Sequence, residues 1–417
     1  MNQIKQGYKQ TKVGIIPEGW DVERIDKVLQ RVRKSVKVEK NEQYYQIGIR
    51  SHGKGLFFKE PVSGEMLGNK SVFWIEPDSI IVNIVFAWEQ AVARTTKNEI
   101  GMIASHRFPM YQSKNKKADI DYLVYLFKSP RGKYFLELAS PGGAGRNKTL
   151  GQNEFGELKI PLPPLKEQEK IAKILMIWDE AITKQIELVE SKEQLKKSLM
   201  QKFLSGEVRF SGFTDEWEEV KLGEIGSTFN GLSGKTGEDF GIGEAKYITY
   251  KNIFNNSKIK LDIFESVEID NDEKQNLVKF GDIFFTVSSE TPEEVGMSSV
   301  LLDNVSNIYL NSFCFGYRLN SFNILDPYFA RFCFRSFKMR DKISRLAQGS
   351  TRFNLSKNEI MKLRVKLPSL QEQQKIAEVL SLSDNEIDLL KKELEELKLQ
   401  KKSLMQKLLT GEVRVKV

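Results

Sequence analysis

Two patterns of apolar residues alternate along this chain and predict two kinds of structure. Short runs rich in β-branched and aromatic residues, such as 79–82 and 282–287, stand between Gly, Asn and Pro and predict β-strands. Apolar helical stretches follow at 121–127 and 326–332, and each opens with an Asp that suits a helix N-cap. The regions that hold these runs are therefore predicted to be mixed α/β domains.

A longer period predicts two long helices, one between Pro164 and Gly206 and the other ending before Gly411. Seven of ten positions from 171 to 203, and eight of ten from 376 to 408, are apolar at alternating spacings of four and three. Heptad spacing of this kind predicts a coiled-coil seam. The predicted seam residues are Ile171, Leu175, Trp178, Ile182, Leu199, Phe203, Ile376, Leu380, Ile387, Leu390, Leu394, Leu397, Leu404 and Leu408.

The length of these helices favours a pair. About 40 residues at ~1.5 Å each give ~60 Å, which is longer than one small domain is wide. The two helices are therefore predicted to pack on each other, with Leu199, Phe203, Leu404 and Leu408 as a buried cluster. The alternative is that each helix is amphipathic and lies on its own domain.

The chain is also an internal repeat. Residues 162–210 align with 367–415 at a constant offset of 205, and 24 of the 49 positions are identical, where chance gives about three. A weaker similarity relates Trp20 to Trp217. Both are expected to be core residues at domain starts rather than residues that stack on a flipped DNA base. The repeat divides the chain into a variable region at 1–160, a helix at 161–210, a second variable region at 211–366 and a second helix at 367–417.

Composition excludes several classes of protein. The 417 residues are 40% hydrophobic and include 26 Phe, so a disordered chain is excluded. The only cysteines are Cys314 and Cys333 and the only histidines are His52 and His106, so neither a disulfide framework nor a metal site is expected. The N-terminus is polar and the most apolar stretch, 80–88, is half a membrane span, which predicts a cytoplasmic protein.

The net charge of +8 is concentrated in one region. Residues 1–160 hold 26 Lys+Arg against 17 Asp+Glu, whereas 211–366 hold 20 against 22 and the helices are nearly balanced. The first variable region therefore suits a polyanionic partner. In the second, basic residues concentrate between Arg331 and Arg352, either as a binding patch or as a solvated helix face.

Motifs for catalysis are missing from the sequence. The only Pro-Pro pair, Pro163-Pro164, is flanked by Leu and does not form the Asn/Asp-Pro-Pro-aromatic loop of an amino methyltransferase. No phosphate-binding Gly-x-x-x-x-Gly-Lys-Ser/Thr is present, and Pro77-Asp78 is not followed by the Glu-x-Lys of a nuclease. The chain is therefore predicted not to be an enzyme, with no catalytic residue, metal or cofactor of its own.

The sequence resembles the specificity (S) subunits of type I restriction–modification systems, the HsdS family, over nearly its whole length. The resemblance is carried by two Leu-Pro-x-Leu-x-Glu-Gln openings at 162–168 and 367–373, and by two Lys-Ser-Leu-Met-Gln-Lys to Gly-Glu-Val-Arg endings. The segments just upstream, 142–150 and 348–355, and the doubling itself also match.

The resemblance implies an α+β fold with two mixed α/β target recognition domains, separated by two conserved helices that form an antiparallel coiled coil in a pseudo-two-fold tandem repeat. Each domain would read one half of a bipartite sequence in double-stranded DNA, and the helices would set the gap between the halves. Two methyltransferase (M) subunits, which methylate adenine, and restriction/translocase (R) subunits would be the protein partners. S-adenosylmethionine and ATP/Mg would be bound by those partners, and no membrane is involved.

Base reading needs Arg, Lys, Asn or Gln in the major groove and basic residues on phosphates. Arg146 and Arg352 stand out because each follows a Gly-rich turn just before a repeated segment. The predicted DNA-binding residues are Arg50, His52, Lys54, Arg107, Arg146, Asn147 and Lys148 in the first domain and Lys251, Asn252, Arg352 and Asn354 in the second. The alternative function is a coiled-coil scaffold with two protein-binding heads, which predicts no salt-dependent DNA affinity.

Overall fold

The computed structural model describes residues 4–142, 148–270 and 272–417. The chain divides into two compact units: unit 1 consists of Met1–Ile186 and Glu393–Val417, and unit 2 of Glu187–Lys392. Each unit therefore contains one variable region and a part of both long helices.

Unit 1 is built on an antiparallel four-stranded sheet, and a further strand pair, β3 with β14, joins the start of its variable region to the end. The strand order in the sheet is β11-β10-β13-β4. Its strands are β1 (Tyr8–Thr11), β2 (Gly14–Pro17), β3 (Asp21–Arg24), β4 (Leu29–Val32), β5 (Gln43–Tyr44), β6 (Ile47–Ile49), β7 (Leu56–Phe58), β8 (Val62–Ser63), β9 (Val72–Trp74), β10 (Ser79–Val82), β11 (Val92–Thr95), β12 (Ile103–Ser105), β13 (Met110–Ser113) and β14 (Lys159–Leu162). Its helices are α1 (Ile25–Val28), α2 (Gly64–Leu67), α3 (Ile120–Lys128), α4 (Pro130–Leu138) and α5 (Gln152–Glu157), and the first long helix follows as α6 (Leu165–Ser205).

Unit 2 repeats this arrangement with a four-stranded antiparallel sheet in the order β16-β23-β19-β21 and a β15–β25 pair. Its strands are β15 (Glu218–Lys221), β16 (Gly226–Asn230), β17 (Phe240–Ile248), β18 (Glu265–Val267), β19 (Ile283–Thr286), β20 (Ser288–Ser289), β21 (Ser298–Val300), β22 (Ile308–Leu310), β23 (Cys314–Leu319), β24 (Phe353–Asn354) and β25 (Arg364–Leu367). Its helices are α7 (Leu222–Ile225), α8 (Tyr250–Asn255), α9 (Pro327–Cys333), α10 (Phe337–Ser344) and α11 (Lys357–Lys362), and the second long helix is α12 (Leu370–Thr410).

The predicted helix ends agree with the structure, with one exception. Helices α6 and α12 have 41 residues each, and the glycine after each one is left-handed, with φ of 76° at Gly206 and 74° at Gly411. Asp326 caps α9 by accepting from the Phe329 N–H at 2.9 Å. Asp121, however, is not the cap of α3. Asp119 accepts the Tyr122 N–H at 2.7 Å, because its extended backbone precedes the first helical residue.

Both long helices contribute to the core of both units. In unit 1, Ile171 and Leu175 of α6 are fully buried beside Leu408 of α12, and Trp20, as predicted, is buried with them. In unit 2 the two helices exchange these positions: Ile376 and Leu380 of α12 lie in the core with Phe203 of α6. Trp217 packs against this core and is half-buried. The helices thus pack on the domains as well as on each other.

One prediction about the helix cores is wrong. Leu199 and Phe203 belong to the core of unit 2, whereas Leu404 and Leu408 belong to the core of unit 1. The four residues do not form a single cluster, because equivalent positions of antiparallel helices lie at opposite ends. All fourteen predicted seam residues are nevertheless buried or half-buried.

A buried ion pair joins each helix start to the end of the other repeat. In unit 1, Arg414 donates two hydrogen bonds to Glu167 at 2.6 and 2.8 Å, and Glu167 is 2% exposed. In unit 2, Arg209 donates to Glu372 at 2.9 and 2.7 Å, and Glu372 is fully buried. Glu372 and Arg414 are the repeat equivalents of Glu167 and Arg209, so each acid pairs with the base of the other repeat.

The helix surfaces carry a second reciprocal pair. Lys401 donates to Asp179 in unit 1, and Lys196 donates to Asp384 in unit 2. These residues are also equivalents at the offset of 205. Asp384 accepts in addition from Arg331 of α9 at 2.5 Å. Within each unit the two helices therefore run antiparallel, as predicted.

Two features are absent from the described residues. None of the helices described has the length and apolarity needed to cross a membrane. In the same part of the chain, no three His, Cys, Asp or Glu side chains are grouped as metal ligands.

Candidate nucleic-acid interface

A segment that follows the central strand β10 joins three loops of unit 1. The Ile84 N–H donates to the Arg107 carbonyl at 3.0 Å, and the Ile84 carbonyl accepts from the Leu150 N–H at 2.8 Å. Five residues further on, the His52 N–H donates to the Glu89 carbonyl at 2.6 Å. We call the segment 84–90 and the loops 50–54, 105–107 and 148–150 face 1.

The described DNA-binding candidates of the first domain all lie on face 1. Arg50, His52, Lys54 and Arg107 are exposed. The Arg50 side chain is held in place, since it donates to the Leu56 carbonyl at 2.9 Å. His52 has a φ of 61°, so the left-handed turn presents its ring on an exposed loop.

Two further predicted residues, Arg146 and Asn147, lie outside the described residues. Their neighbour Lys148 is described and half-buried, with its Nζ 5.5 Å from the centre of the Trp88 ring. Residues 148–150 are therefore joined to face 1 through Lys148 and Leu150. His106, next to Arg107, is also exposed on this face.

Unit 2 has a counterpart with the same backbone connections. The Val287 N–H, after strand β19, donates to the Phe313 carbonyl at 3.0 Å, and the Val287 carbonyl accepts from the Leu355 N–H at 2.8 Å. The Tyr250 hydroxyl donates to the Ser288 carbonyl at 2.8 Å and so brings α8 to the same place. We call the segment 287–290 and the loops 249–251, 311–313 and 352–355 face 2.

Three of the four predicted DNA-binding residues in the second domain are exposed on face 2. Lys251 lies on α8, Arg352 on the loop before β24, and Asn354 pairs with Ser288 through the backbone. Asn252 is different, because it is fully buried and its side-chain amide donates to the Lys260 carbonyl at 2.8 Å. This hydrogen bond fixes the chain after α8, and the buried Asn252 amide is not presented on face 2.

The basic stretch from Arg331 to Arg352 is largely hydrogen-bonded within the unit, although Lys338, Lys342 and Arg345 are exposed. Arg335 donates to four backbone carbonyls and Arg340 to three, and burial lowers the pKa of both guanidinium groups to about 10. Arg331 pairs with Asp384. The remaining internal partners are the Ser205 carbonyl for Lys338, the Arg364 carbonyl for Lys342 and Asp341 for Arg345. Arg352 is the member of this stretch that lies exposed on face 2.

The two faces have the same pattern of backbone hydrogen bonds but different side chains. Where face 1 has Arg107, face 2 has Phe313, and face 2 also presents the exposed carboxylate of Glu290. Carboxylates accept from the cytosine amino group, whereas Arg donates to guanine. No local pattern in the sequence marks these groupings, because the backbone hydrogen bonds that form them join residues 23 to 68 positions apart. The Asn-x-Phe of 311–313 is the one short pattern that hints at a turn.

The sequence model of the type I restriction modification DNA specificity domain matches residues 17–191 and again 214–399. The chain belongs to this family. The specificity subunit is 25% identical to the putative type I restriction enzyme MjaX specificity subunit of Methanocaldococcus jannaschii, with 99% of this chain and 98% of that protein covered. The chain is 27% identical to the type I restriction enzyme MjaVIII specificity subunit of the same organism, with 96% of this chain and 94% of that protein covered.

Solved structures share the fold of this specificity subunit. The HsdS subunit from Thermoanaerobacter tengcongensis gives a TM-score of 0.52 at 17% identity, with 95% of this chain and 98% of that chain covered. The S subunit from M. genitalium gives 0.55 at 17% identity, with 93% and 96% covered. A chain from a structural study of complex assembly and conformational transition in the type I R-M system gives 0.61 at 18% identity, with 95% and 99% covered.

Proposed function

We propose that this specificity subunit binds a bipartite target in double-stranded DNA, with face 1 reading one half-site and face 2 the other. The observation that carries the proposal is the repeated framework of the two faces. In each unit a residue after the central strand donates one backbone hydrogen bond and accepts another in the same way, and exposed polar residues from distant loops lie beside it. Equal frameworks with different side chains suit two half-sites of different sequence.

The two faces are expected to attract the phosphate backbone unequally. The variable region of face 1 has nine more basic than acidic residues, whereas that of face 2 has two more acidic than basic. Because most of the basic stretch after Arg331 is bonded internally, Lys251 and Arg352 are the main cations proposed for face 2. Face 1 therefore supplies most of the salt-sensitive attraction to DNA.

The long helices are proposed to set the gap between the half-sites and to dock two methyltransferase subunits, which methylate adenine. Several large apolar side chains on α6 and α12 are more than half exposed, among them Ile177, Leu195, Leu382, Leu389 and Leu399. Exposed apolar residues along a helix suit protein contacts rather than DNA. The restriction/translocase subunits would join the same assembly.

The subunit itself is proposed to be non-catalytic and cytoplasmic. The chemistry would come from the partners, with S-adenosylmethionine bound by the methyltransferase subunits and ATP/Mg by the restriction subunits. The role of this chain is to bind and orient the duplex, so that the target base lies where the partner subunits act. No membrane takes part.

The proposal is tested by mapping methylated adenines across the genome with and without this gene. We expect a motif of two short half-sites with a fixed gap that is lost when the gene is deleted and restored by its return. Binding of the assembled complex to duplexes with this motif should weaken steeply with salt. A protein-binding scaffold would leave the methylation pattern unchanged and show no salt-dependent DNA affinity.

A further inference from the structure

Each face presents one phenylalanine ring to solvent. Phe86, on the segment 84–90 of face 1, is 44% exposed, and Phe313, on the loop 311–313 of face 2, is 64% exposed. The same faces carry basic residues, with Arg107 and Lys148 on face 1 and Lys251 on face 2. Neither aromatic ring was among the residues predicted to bind DNA.

The backbone of Phe86 is held firmly. Its N–H donates to the Asn83 carbonyl at 3.1 Å, and its own carbonyl accepts from the Glu89 and Ala91 N–H groups at 3.0 and 3.1 Å. The Asn83 side chain accepts from the Val85 N–H at 3.1 Å and closes the turn. The main chain that carries the exposed ring is thus held in place.

Phe313 is fixed in a similar way. Its N–H donates to the side-chain oxygen of Asn311 at 2.8 Å, and its carbonyl accepts from Val287 at 3.0 Å. The Asn311 carbonyl accepts from the Cys314 N–H at 3.1 Å. On both faces, therefore, an asparagine turn beside a central strand fixes the backbone that carries an exposed apolar ring, which lowers the backbone entropy lost when the ring makes a contact.

The chemistry of the duplex limits what such a ring contacts. A phenyl group neither donates nor accepts a hydrogen bond, so phosphates and most base edges offer it nothing. The apolar group on the floor of the major groove is the 5-methyl of thymine. Insertion between base pairs is the other use of an apolar side chain, and it is tolerant of sequence.

We propose that Phe86 and Phe313 each pack against the 5-methyl group of a thymine in the half-site that their unit reads. This inference rests on the function proposed above and names a specificity-determining residue on each face. Phe86 therefore selects an A·T pair in one half-site and Phe313 selects one in the other.

The test replaces each ring and maps methylated adenines in cells that carry the partner subunits and lack the natural gene. Phe86→Ala should relax the preference at one thymine of one half-site, and Phe313→Ala at one thymine of the other. Tyr45→Ala, in unit 1, and Phe337→Ala, in unit 2, remove aromatic rings that are 55% and 83% exposed outside the two faces. Both control variants should keep the natural motif.

A binding measurement on the assembled complex isolates the methyl group. Deoxyuridine in place of that thymine should weaken binding of the natural complex about fourfold, as expected for one buried methyl. The corresponding alanine variant should bind the two duplexes equally. The Phe86→Leu variant keeps an apolar contact and should retain the preference for thymine.

Three results would overturn the inference alone: an unchanged motif in both variants, an equal loss of binding to all sequences, or an effect of both variants on the same half-site. An equal loss would point to insertion between base pairs. If the natural subunit directs no bipartite methylation at all, the proposed function fails, and that outcome is seen without any variant.

Discussion

At the scale of single residues, the two buried glutamates at the starts of the long helices are the most constrained groups. Glu167 and Glu372 each receive two hydrogen bonds from the arginine of the other repeat, and Glu167 also accepts from the Trp20 indole N–H at 3.1 Å. Removing the glutamate of such a pair loses two charge-assisted hydrogen bonds and leaves an arginine that is partly exposed to water.

Glu372→Ala should therefore lower the free energy of unfolding by about 2 kcal/mol, because two charge-assisted hydrogen bonds are lost while the remaining Arg209 side chain, 23% exposed, is solvated. Urea denaturation measures the change. Arg345→Ala breaks an ion pair whose arginine is 76% exposed, and should cost under about 0.5 kcal/mol. Equal effects of the two variants would contradict this account of Glu372.

The two cysteines should be inert in the folded chain. Burial raises the pKa of the Cys333 thiol to about 12 and also raises the pKa of Cys314. At pH 8 only about one Cys333 thiol in ten thousand is then ionised. Iodoacetamide should leave both unmodified at pH 8 and alkylate both after unfolding in urea, as mass spectrometry would show. If the native chain were modified as fast as a free thiol, the prediction that both cysteines are inert would be contradicted.

At the scale of elements, the pairing of α6 with α12 has a fixed register. Gln185 donates to Glu393 at 3.0 Å within unit 1, and Lys192 pairs with Glu386 at 2.6 Å within unit 2. An insertion in one helix shifts one set of partners relative to the other. An insertion of equal length in both helices preserves both sets.

Seven residues inserted after Ile186 and seven after Lys392 should lengthen each helix by ~10 Å. If the helices set the gap, the methylated motif should keep both half-sites and gain about three base pairs between them. Methylation mapping gives the answer. The same insertion in α6 alone should abolish methylation, and an unchanged gap with the matched insertions would refute the spacer role.

At the scale of the whole molecule, each unit carries its own sheet, core and face. Strand β14 pairs with β3, so the start and end of the first variable region belong together. A junction at residue 160 would cut β14 in the middle. A junction after Leu162 leaves the pair intact and keeps all of α6.

Exchange of residues 1–162 for the corresponding region of another specificity subunit should change one half-site and leave the other half-site and the gap as they are. Methylation mapping of the hybrid shows both at once. The natural subunit expressed from the same vector is the control. A hybrid that keeps the natural motif, or changes both half-sites, would argue against one reading face per unit.

The sequence by itself determined the repeat, the two long helices and the family, because identity at an offset of 205 and heptad spacing are properties of the chain alone. It also placed the glycines that end the helices. Exposed candidates such as Arg107 and Arg352 were within reach of sequence reasoning, since residue type alone marks a group able to bind DNA.

Only the tertiary structure decided which basic residues remain free. Arg335 and Arg340 have the same chemistry as Arg352, yet backbone carbonyls from distant segments take up their donors. The tertiary structure also decided which loops meet on each face. It decided as well that the core of each unit includes residues from both long helices. These contacts join residues far apart in the chain, where burial and hydrogen-bond partners follow from the packing of the whole unit and leave no pattern in the local sequence.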